Sequence, residues 1–419
     1  MNMIDRREFL KEALILGAAT NVDAVSGVNL TANEARAALA KAASQAVLRK
    51  ELIPSPVRIE SIELLVAENE YFVRTRSTDG ATGLAVANSQ KMKVLVPLFF
   101  EHVAPYFLGK DARELENLLE GVYVWKNNYK MQGQSLWVCV AALEMSLLDL
   151  LGTVAAKPMG ELLGGVIRKQ VEVYWASSQR MNTPEEEVER LKAALESTKA
   201  KALKIRVGGR MSRNADARPH RTERLIPLVR KELGDGVTLY ADSNGSYDVD
   251  HSLRIGRLLE ECGYSFFEEP CPFDHYEETK EIADALRIPI AGGECEASLR
   301  MFIWMLEHDA VQVVQPDLFY FGGMIRSIKV ARMAALTGKP CTVHISGYGL
   351  GYLYMLIFAS CVENIGPFQE YKGESKIPVE SDVSLKTEGG KVMIPSGNGW
   401  GITVDPQFLR QAHLLGSVK

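Results

Sequence analysis

The sequence predicts an α/β fold: a (β/α)8-type barrel carrying an α+β capping domain built from N-terminal and C-terminal segments. Three observations predict it. Eight short apolar runs alternate with amphipathic stretches after Gly165; polar residues close those runs at a nearly constant spacing; and a segment of antiparallel character followed by helices precedes them. A chain of 419 residues is too long for one small core and suits a large barrel with an addition.

In chain order, the first stretch is "DRREFLKEALILGAAT". Arg6 and Arg7, followed by Phe9, Leu10 and Lys11, match the core of a twin-arginine export signal, with Val22-Asp23-Ala24 as a candidate cleavage site. Residues 1–30 are therefore read as an export segment that would place the protein in the periplasm. Glu12 interrupts the apolar run, and the alternative is the start of an amphipathic helix in a cytoplasmic protein. Residues 31–56 are alanine-rich and polar, a helix and linker punctuated by Pro54 and Pro56. From 57 to 165 alternating strands with a turn at Asp79-Gly80 give way to helical periodicity, clearest in "VCVAALEMSLLDLLGTV". This is the N-terminal part of the cap.

The barrel is assigned to 166–380. Its runs are "VEVYWA" (171–176), "ALKIRV" (202–207), "VTLYAD" (237–242), "SFFEE" (265–269), "IPIAGG" (288–293), "AVQVVQP" (310–316), "PCTVH" (340–344) and "IGPFQEY" (365–371). Residues 381–419 are read as the return to the cap, with "GGKVMIPSGNGWGITVD" as its β-like part.

Bulk properties exclude several classes. The composition is 47% hydrophobic and 24% charged, with a formal net charge of −5. An acidic balance lacks the basic footprint of a nucleic-acid binder. No window is read as approaching the ~20 apolar residues of a membrane span. The six cysteines contain no CxxC pair, so they point neither to a zinc knuckle nor to a disulfide framework, and are read as mostly buried thiols.

The ends of the runs carry the chemistry. Lys204 and Arg206 lie two apart, on one face of the second strand. Asp242, with Asn244 just beyond, closes the third. Glu268, Glu294, Asp317, His344 and Glu370 close the fourth to the eighth, at successive steps of 26, 26, 23, 27 and 26 residues. Residues repeated at one strand–helix period converge on one mouth of a barrel, where active sites sit in this fold. A single strand-end acid is ordinarily solvated. Asp242, Glu268 and Glu294 on adjacent strands would repel one another, and three hard oxygen donors suit Mg²⁺. Glu269 is expected to alternate to the other side. Asp317 beside His344 is the pairing that orients an imidazole and raises its pKa, making it a general base. Lys204 faces the site from across the barrel, placed to stabilise a carboxylate oxygen or to exchange a proton. Glu370 is read as an acid that, if kept protonated, donates a hydrogen bond to developing oxyanion charge.

In combination, the motifs KxR, DxN, EEP, GGE, QPD, the seventh-strand His and the final QE resemble the enolase superfamily, mandelate racemase subgroup, over roughly residues 57 to 405. The resemblance implies a modified (β/α)7β barrel with a cap, and Mg²⁺ held by Asp242, Glu268 and Glu294. It implies proton abstraction next to a substrate carboxylate, by the dyad His344–Asp317, with Lys204 and Glu370 in the family's other catalytic positions. Many relatives have a second lysine where this chain has Arg206. A guanidinium is a poor base and a good anion clamp. One base suffices for β-elimination, so the expected activity is dehydration of an acid sugar to a 2-keto-3-deoxy acid, with Arg206 and Asn244 binding substrate. Racemisation or epimerisation of a 2-hydroxy acid by Lys204 and His344, and a non-catalytic binding relative, are the alternatives. The expected partner is a small carboxylate, and the resemblance implies a homo-oligomer, dimer or octamer. Selectivity is expected from the loops at 67–72 and 88–92, with Tyr348 and Trp175 near the mouth, either touching substrate or packed in the core.

Overall fold

The computed structural model describes residues 32–419; the export segment expected at 1–30 lies outside the described residues. Helix α1 (Ala32–Ser44) rests on the outside of the barrel, where Arg36 pairs with Glu307 at 2.8 Å. Just past its end, Arg332 donates to the carbonyls of Gln45 and Ala46.

The cap begins with a meander of β1 (Ile59–Ala67), β2 (Glu70–Ser77) and β3 (Thr82–Val86). The first hairpin closes through Glu68 and Asn69, both left-handed at φ 48° and 67°, the backbone a two-residue type I′ turn requires. The stretch 67–72, expected as a specificity loop, is thus strand on both sides of a tight turn. Helices α2 (Ser89–Leu98), α3 (Leu115–Val124) and α4 (Gln134–Ala155) follow. By length and composition α4 could cross a membrane, which corrects the expectation that no window approaches that length. In the fold it is the central helix of the cap, with 78% of its apolar window buried.

The barrel strands are β4 (Gln170–Ala176), β5 (Ala202–Arg206), β6 (Thr238–Asp242), β7 (Phe266–Glu268), β8 (Ile290–Gly292), β9 (Val313–Val314) and β10 (Gln369–Glu370). They are parallel, in the order β10-β4-β5-β6-β7-β8-β9. Outside them lie α5 (Pro184–Thr198), α6 (Arg221–Leu233), α7 (Val249–Glu261), α8 (Tyr276–Ala285), α9 (Leu299–Glu307), α10 (Met324–Leu336) and α11 (Tyr352–Cys361). The start of α5 is legible in sequence: Thr183 and Glu186 form a reciprocal capping box around Pro184. One expected strand, 340–344, is not a ladder. It touches its neighbour only through isolated bridges, Val314↔Cys341 and Asp317↔His344. Pro316 and Pro340 explain this, since neither can donate to a ladder. Side chains of Tyr174, Ala202, Tyr240, Phe266 and Ala291 fill the barrel, with Tyr240 and Phe266 stacked at 3.9 Å. Trp175, expected near the mouth, alternates outward and packs against the helix layer.

The C-terminal return is split. β11 (Val379–Ser381) pairs with β13 (Ile402–Val404), while β12 (Lys391–Met393) runs antiparallel to barrel strand β4. The cap is reached by Gly399, which exchanges backbone hydrogen bonds with Lys157 and Met159, by Trp400, bonded to Asp149 and Met145 of α4, by Phe408, edge-on to Phe72, and by β14 (His413–Val418), paired with β1. All six cysteines are free.

Cap and barrel are locked by Glu144 of α4. It is fully buried and accepts hydrogen bonds from the amides of Met324 (2.6 Å) and Ile325 (3.0 Å) at the start of α10. Gly323, at φ 111°, is required there, because a Cβ would meet the Glu144 carboxylate. Burial pushes the Glu144 carboxyl up to about 8, against the pull of the two amides. A folded-state pKa raised above the unfolded value contributes stability that is complete below pH ~4.5 and is lost as pH rises through about 8. Relative to Glu144→Gln, the wild type should therefore lose stability across that window, on the order of 4 kcal/mol. Denaturant midpoints of both proteins at pH 5 and pH 9 check this; parallel pH profiles would refute it.

Candidate active site

The strand ends meet at one mouth, as their spacing requires. Ligand atoms of Asp242, Glu268 and Glu294 lie within 4.8 Å of one another, and all three residues are buried. Asp242 and Glu268 are register partners on β6 and β7. Glu294 stands two residues past β8, beyond Gly293, whose φ of 110° turns the chain toward the mouth.

Lys204 is wholly buried. Its ammonium lies 2.8 Å from both Glu268 oxygens, 2.8 Å from Glu370 and 4.0 Å from Asp242. Burial pulls its pKa down, but Glu268 and Glu370 outweigh that and hold it above the ordinary lysine value. Burial likewise opposes the Glu268 charge, and Lys204 and Arg206 overcome it, keeping the carboxyl below its usual range. Glu294 goes the other way. Burial pushes it up, and the proximity of His344 offsets this only in part.

The dyad is formed across the isolated bridge. His344 Nδ1 is 2.6 Å from Asp317 Oδ2, while its Nε2 points toward the carboxylate cluster, 3.6 Å from Glu294. Asp317 is anchored by the amides of Phe319 (2.8 Å) and Tyr320 (2.7 Å). Burial lowers the His344 pKa, yet Glu294 and Asp317 together raise it to about 9.

Two expectations change. Glu370 is not an acid among acids: Lys204 and Lys372 both contact its carboxylate, and against the cost of burial they hold it well below the usual range. Glu269 does not turn away from the mouth. Its φ of 43° breaks the strand alternation directly after Glu268, so its carboxylate reaches Asn244 (3.2 Å). Burial, with Glu294 adding to it, pushes that carboxyl up to about 8. Asn244 repeats the device at φ 44°, folding back so that its amide groups contact Asp242 at 2.7 and 3.2 Å. Arg206 is placed at the cluster rather than in open space, paired with Asp242 and donating to Ser177 O at 2.8 Å.

Sequence reading missed Gln315 and Ser346, and gave Asn88 no role beyond its place in the 88–92 loop. Gln315 donates to Glu268 at 3.0 Å, and its position two residues before Asp317 was the available signal. Ser346 is bonded to Asp317 (3.3 Å) and receives Asn88 of the cap (2.6 Å), so the 88–92 stretch does reach the site, through the dyad. Tyr348 is exposed at the rim, with the Lys372 ammonium 5.8 Å above its ring.

The donor set fits a hard divalent cation. It is all oxygen, buried and self-repelling, and one oxygen of Glu294 and one of Glu269 accept no hydrogen bond.

A barrel mouth with three strand-end carboxylates, a His–Asp pair and a buried lysine can hold a cation beside an acid–base pair, the arrangement of an enzyme. Comparison gives the family. The pattern of the enolase C-terminal domain-like family matches residues 186–408, more than half of the sequence, and the chain belongs to that family. It is an enzyme of the enolase superfamily. Among curated relatives, arabinonate dehydratase of Saccharolobus solfataricus is 27% identical, over 78% of this chain and 86% of that one. D-gluconate dehydratase of Thermoproteus tenax is 24% identical, over 92% and 80%. Among solved structures, a candidate racemase of Roseobacter denitrificans superposes with a TM-score of 0.81 at 31% identity, covering 86% of this chain and all of the other.

Proposed function

We propose that this enzyme dehydrates an acid sugar, removing the proton next to the carboxylate and expelling the 3-hydroxyl to give a 2-keto-3-deoxy acid. The observation that carries this reading is the asymmetry of the mouth. One side presents an imidazole whose Nε2 lies 3.6 Å from Glu294 of the carboxylate cluster; the opposite cation, Lys204, is clamped between Glu268 and Glu370.

His344 Nε2 takes the C2 proton, and Asp317 holds the ring through Nδ1 and stabilises the imidazolium that forms. Residues Asp242, Glu268 and Glu294 would hold Mg²⁺, which supplies Lewis-acid stabilisation of the negative charge on the substrate carboxylate. Lys204, kept protonated, adds a second positive charge to that end of the substrate. Loss of the proton leaves an electron pair that forms the C2–C3 double bond as the C3–O bond breaks. His344 returns its proton to the departing hydroxyl, so water leaves, and the enol tautomerises to the keto acid. The names of the two dehydratase relatives support this choice. The buried, ion-paired state of Lys204 argues against a second base, and so against the racemase reading.

Proton NMR of the Mg²⁺-loaded protein in D₂O against a panel of acid sugars tests this. A new 3-deoxy methylene signal is expected. Exchange at C2 without elimination would overturn the reading in favour of racemisation or epimerisation. The base must be neutral to act, so kcat/KM is expected to rise with pH through the midpoint of the His344 titration. Asp317→Asn should move that midpoint down, since Asp317 is among the groups raising it. An unmoved midpoint would show that His344 is not the titrating base.

A further inference from the structure

Three guanidinium groups meet on one uncharged oxygen at the edge of the mouth. Asn244 Oδ1 receives Arg180 at 2.5 Å, Arg206 at 3.3 Å and Arg210 at 3.2 Å. An amide oxygen has two lone pairs, so three donors oversubscribe it and the cations repel one another. Arg206 is compensated by Asp242. Arg180 and Arg210 have no carboxylate within ion-pair distance among the described residues. Arg180, on the loop after β4, also donates to Gly208 O (3.2 Å) and Val207 O, tying that loop to the next. Burial, with Arg206 and Arg210 adding to it, pulls the Arg180 guanidinium down to about 9, the mark of positive charge without a counter-charge.

Arg210 lies on the loop 208–220, "GGRMSRNADARPH", and is exposed. Its amide is fixed by Ser246 Oγ at 2.9 Å, so its backbone is set, and its guanidinium reaches Asn244. The group is contiguous with the metal cluster, because Asn244 also contacts Asp242 at 3.2 Å and Arg206 touches both.

We infer that Arg180 and Arg210 form a second anion site that receives the far end of the substrate, so that the preferred acid sugar carries a negative group at both termini. Planar guanidinium forks match a carboxylate or a phosphate bidentately. This inference rests on the proposed acid-sugar reading and narrows it: the near carboxylate goes to the cluster and the far anion to the arginines.

The test measures binding to the Mg²⁺-loaded protein by thermal shift, at matched ionic strength. Probes are monoanionic galactonate and gluconate, dicarboxylate galactarate and glucarate, and 6-phosphogluconate. Wild-type protein should bind at least one dianion tenfold or more tighter than its matched aldonate. In Arg210→Gln that preference should collapse to under threefold, while Arg213→Gln, an exposed arginine of the same loop, keeps it. Selectivity for aldarates identifies the far group as carboxylate, and selectivity for 6-phosphogluconate as phosphate. Equal binding of mono- and dianions, a preference unchanged in Arg210→Gln, or no binding of any probe overturns the inference. Turnover of the same probes is scored separately. Dianion-selective binding without a 3-deoxy product would sink the dehydratase reading and leave the anion site standing. Dehydration without dianion preference would do the reverse.

Discussion

His344→Asn is expected to lower kcat for dehydration by about 10³-fold or more, the span a single positioned acid–base group ordinarily contributes. The effect should sit at the upper end because the imidazole has two tasks, removal of the C2 proton and its return to the leaving hydroxyl. Asparagine keeps a polar group facing Asp317 and avoids an apolar hole, so folding and substrate binding should persist. KM and the melting temperature should then change little while kcat collapses, and wash-in of deuterium at C2 should vanish along with elimination. Full dehydration by the variant would remove His344 from the mechanism, and a collapse of the melting temperature would assign it a structural role instead.

The second large effect concerns Glu294. Without a cation it is a buried carboxylate near Glu268, raised in pKa by burial, with one oxygen that accepts no hydrogen bond and has only the His344 ring at 3.6 Å. Replacing it by glutamine removes that repulsion, so metal-free Glu294→Gln should be more stable than metal-free wild type by about 1–3 kcal/mol. Addition of Mg²⁺ should reverse the order. Saturation of the wild type at about 100 times Kd adds roughly 2.7 kcal/mol, and the variant should gain little. Activity should be lost along with the Mg²⁺ response. Urea denaturation of both proteins with EDTA and with Mg²⁺ gives all four values. A wild type indifferent to Mg²⁺ would refute the metal assignment without reference to any substrate.

Much of the site is legible in the sequence because the barrel converts spacing into position. Asp242, Glu268, Asp317 and His344 could be placed at one mouth from their separation alone, since each step is one strand and one helix. Lys204 and Arg206 could be put on one face because side chains in a strand repeat every second residue. The capping box at Thr183 and the turn at Asp79-Gly80 were readable for the same reason: both are decided by residues within four positions of one another.

Other features depend on groups that meet from distant parts of the chain, and no local pattern reports them. Glu269 reaches the mouth because a left-handed backbone at one residue cancels the alternation that placed it elsewhere. Glu370 is an ion-paired carboxylate because Lys204, on a strand far away in sequence, and Lys372 both close on it. β12 was misplaced because a strand's partner is chosen by packing, not by its composition. Arg180 and Arg210 come from two separate loops, whose lengths and courses no periodicity governs. By itself the sequence determined the barrel, its cap, the end of the barrel that carries chemistry and the hard oxygen donors gathered there, since all of these follow from short-range periodicity. Only the tertiary structure decided which charges touch. Protonation state and the second anion site depend on burial and on neighbours a few ångströms apart in space but scores of residues apart along the chain.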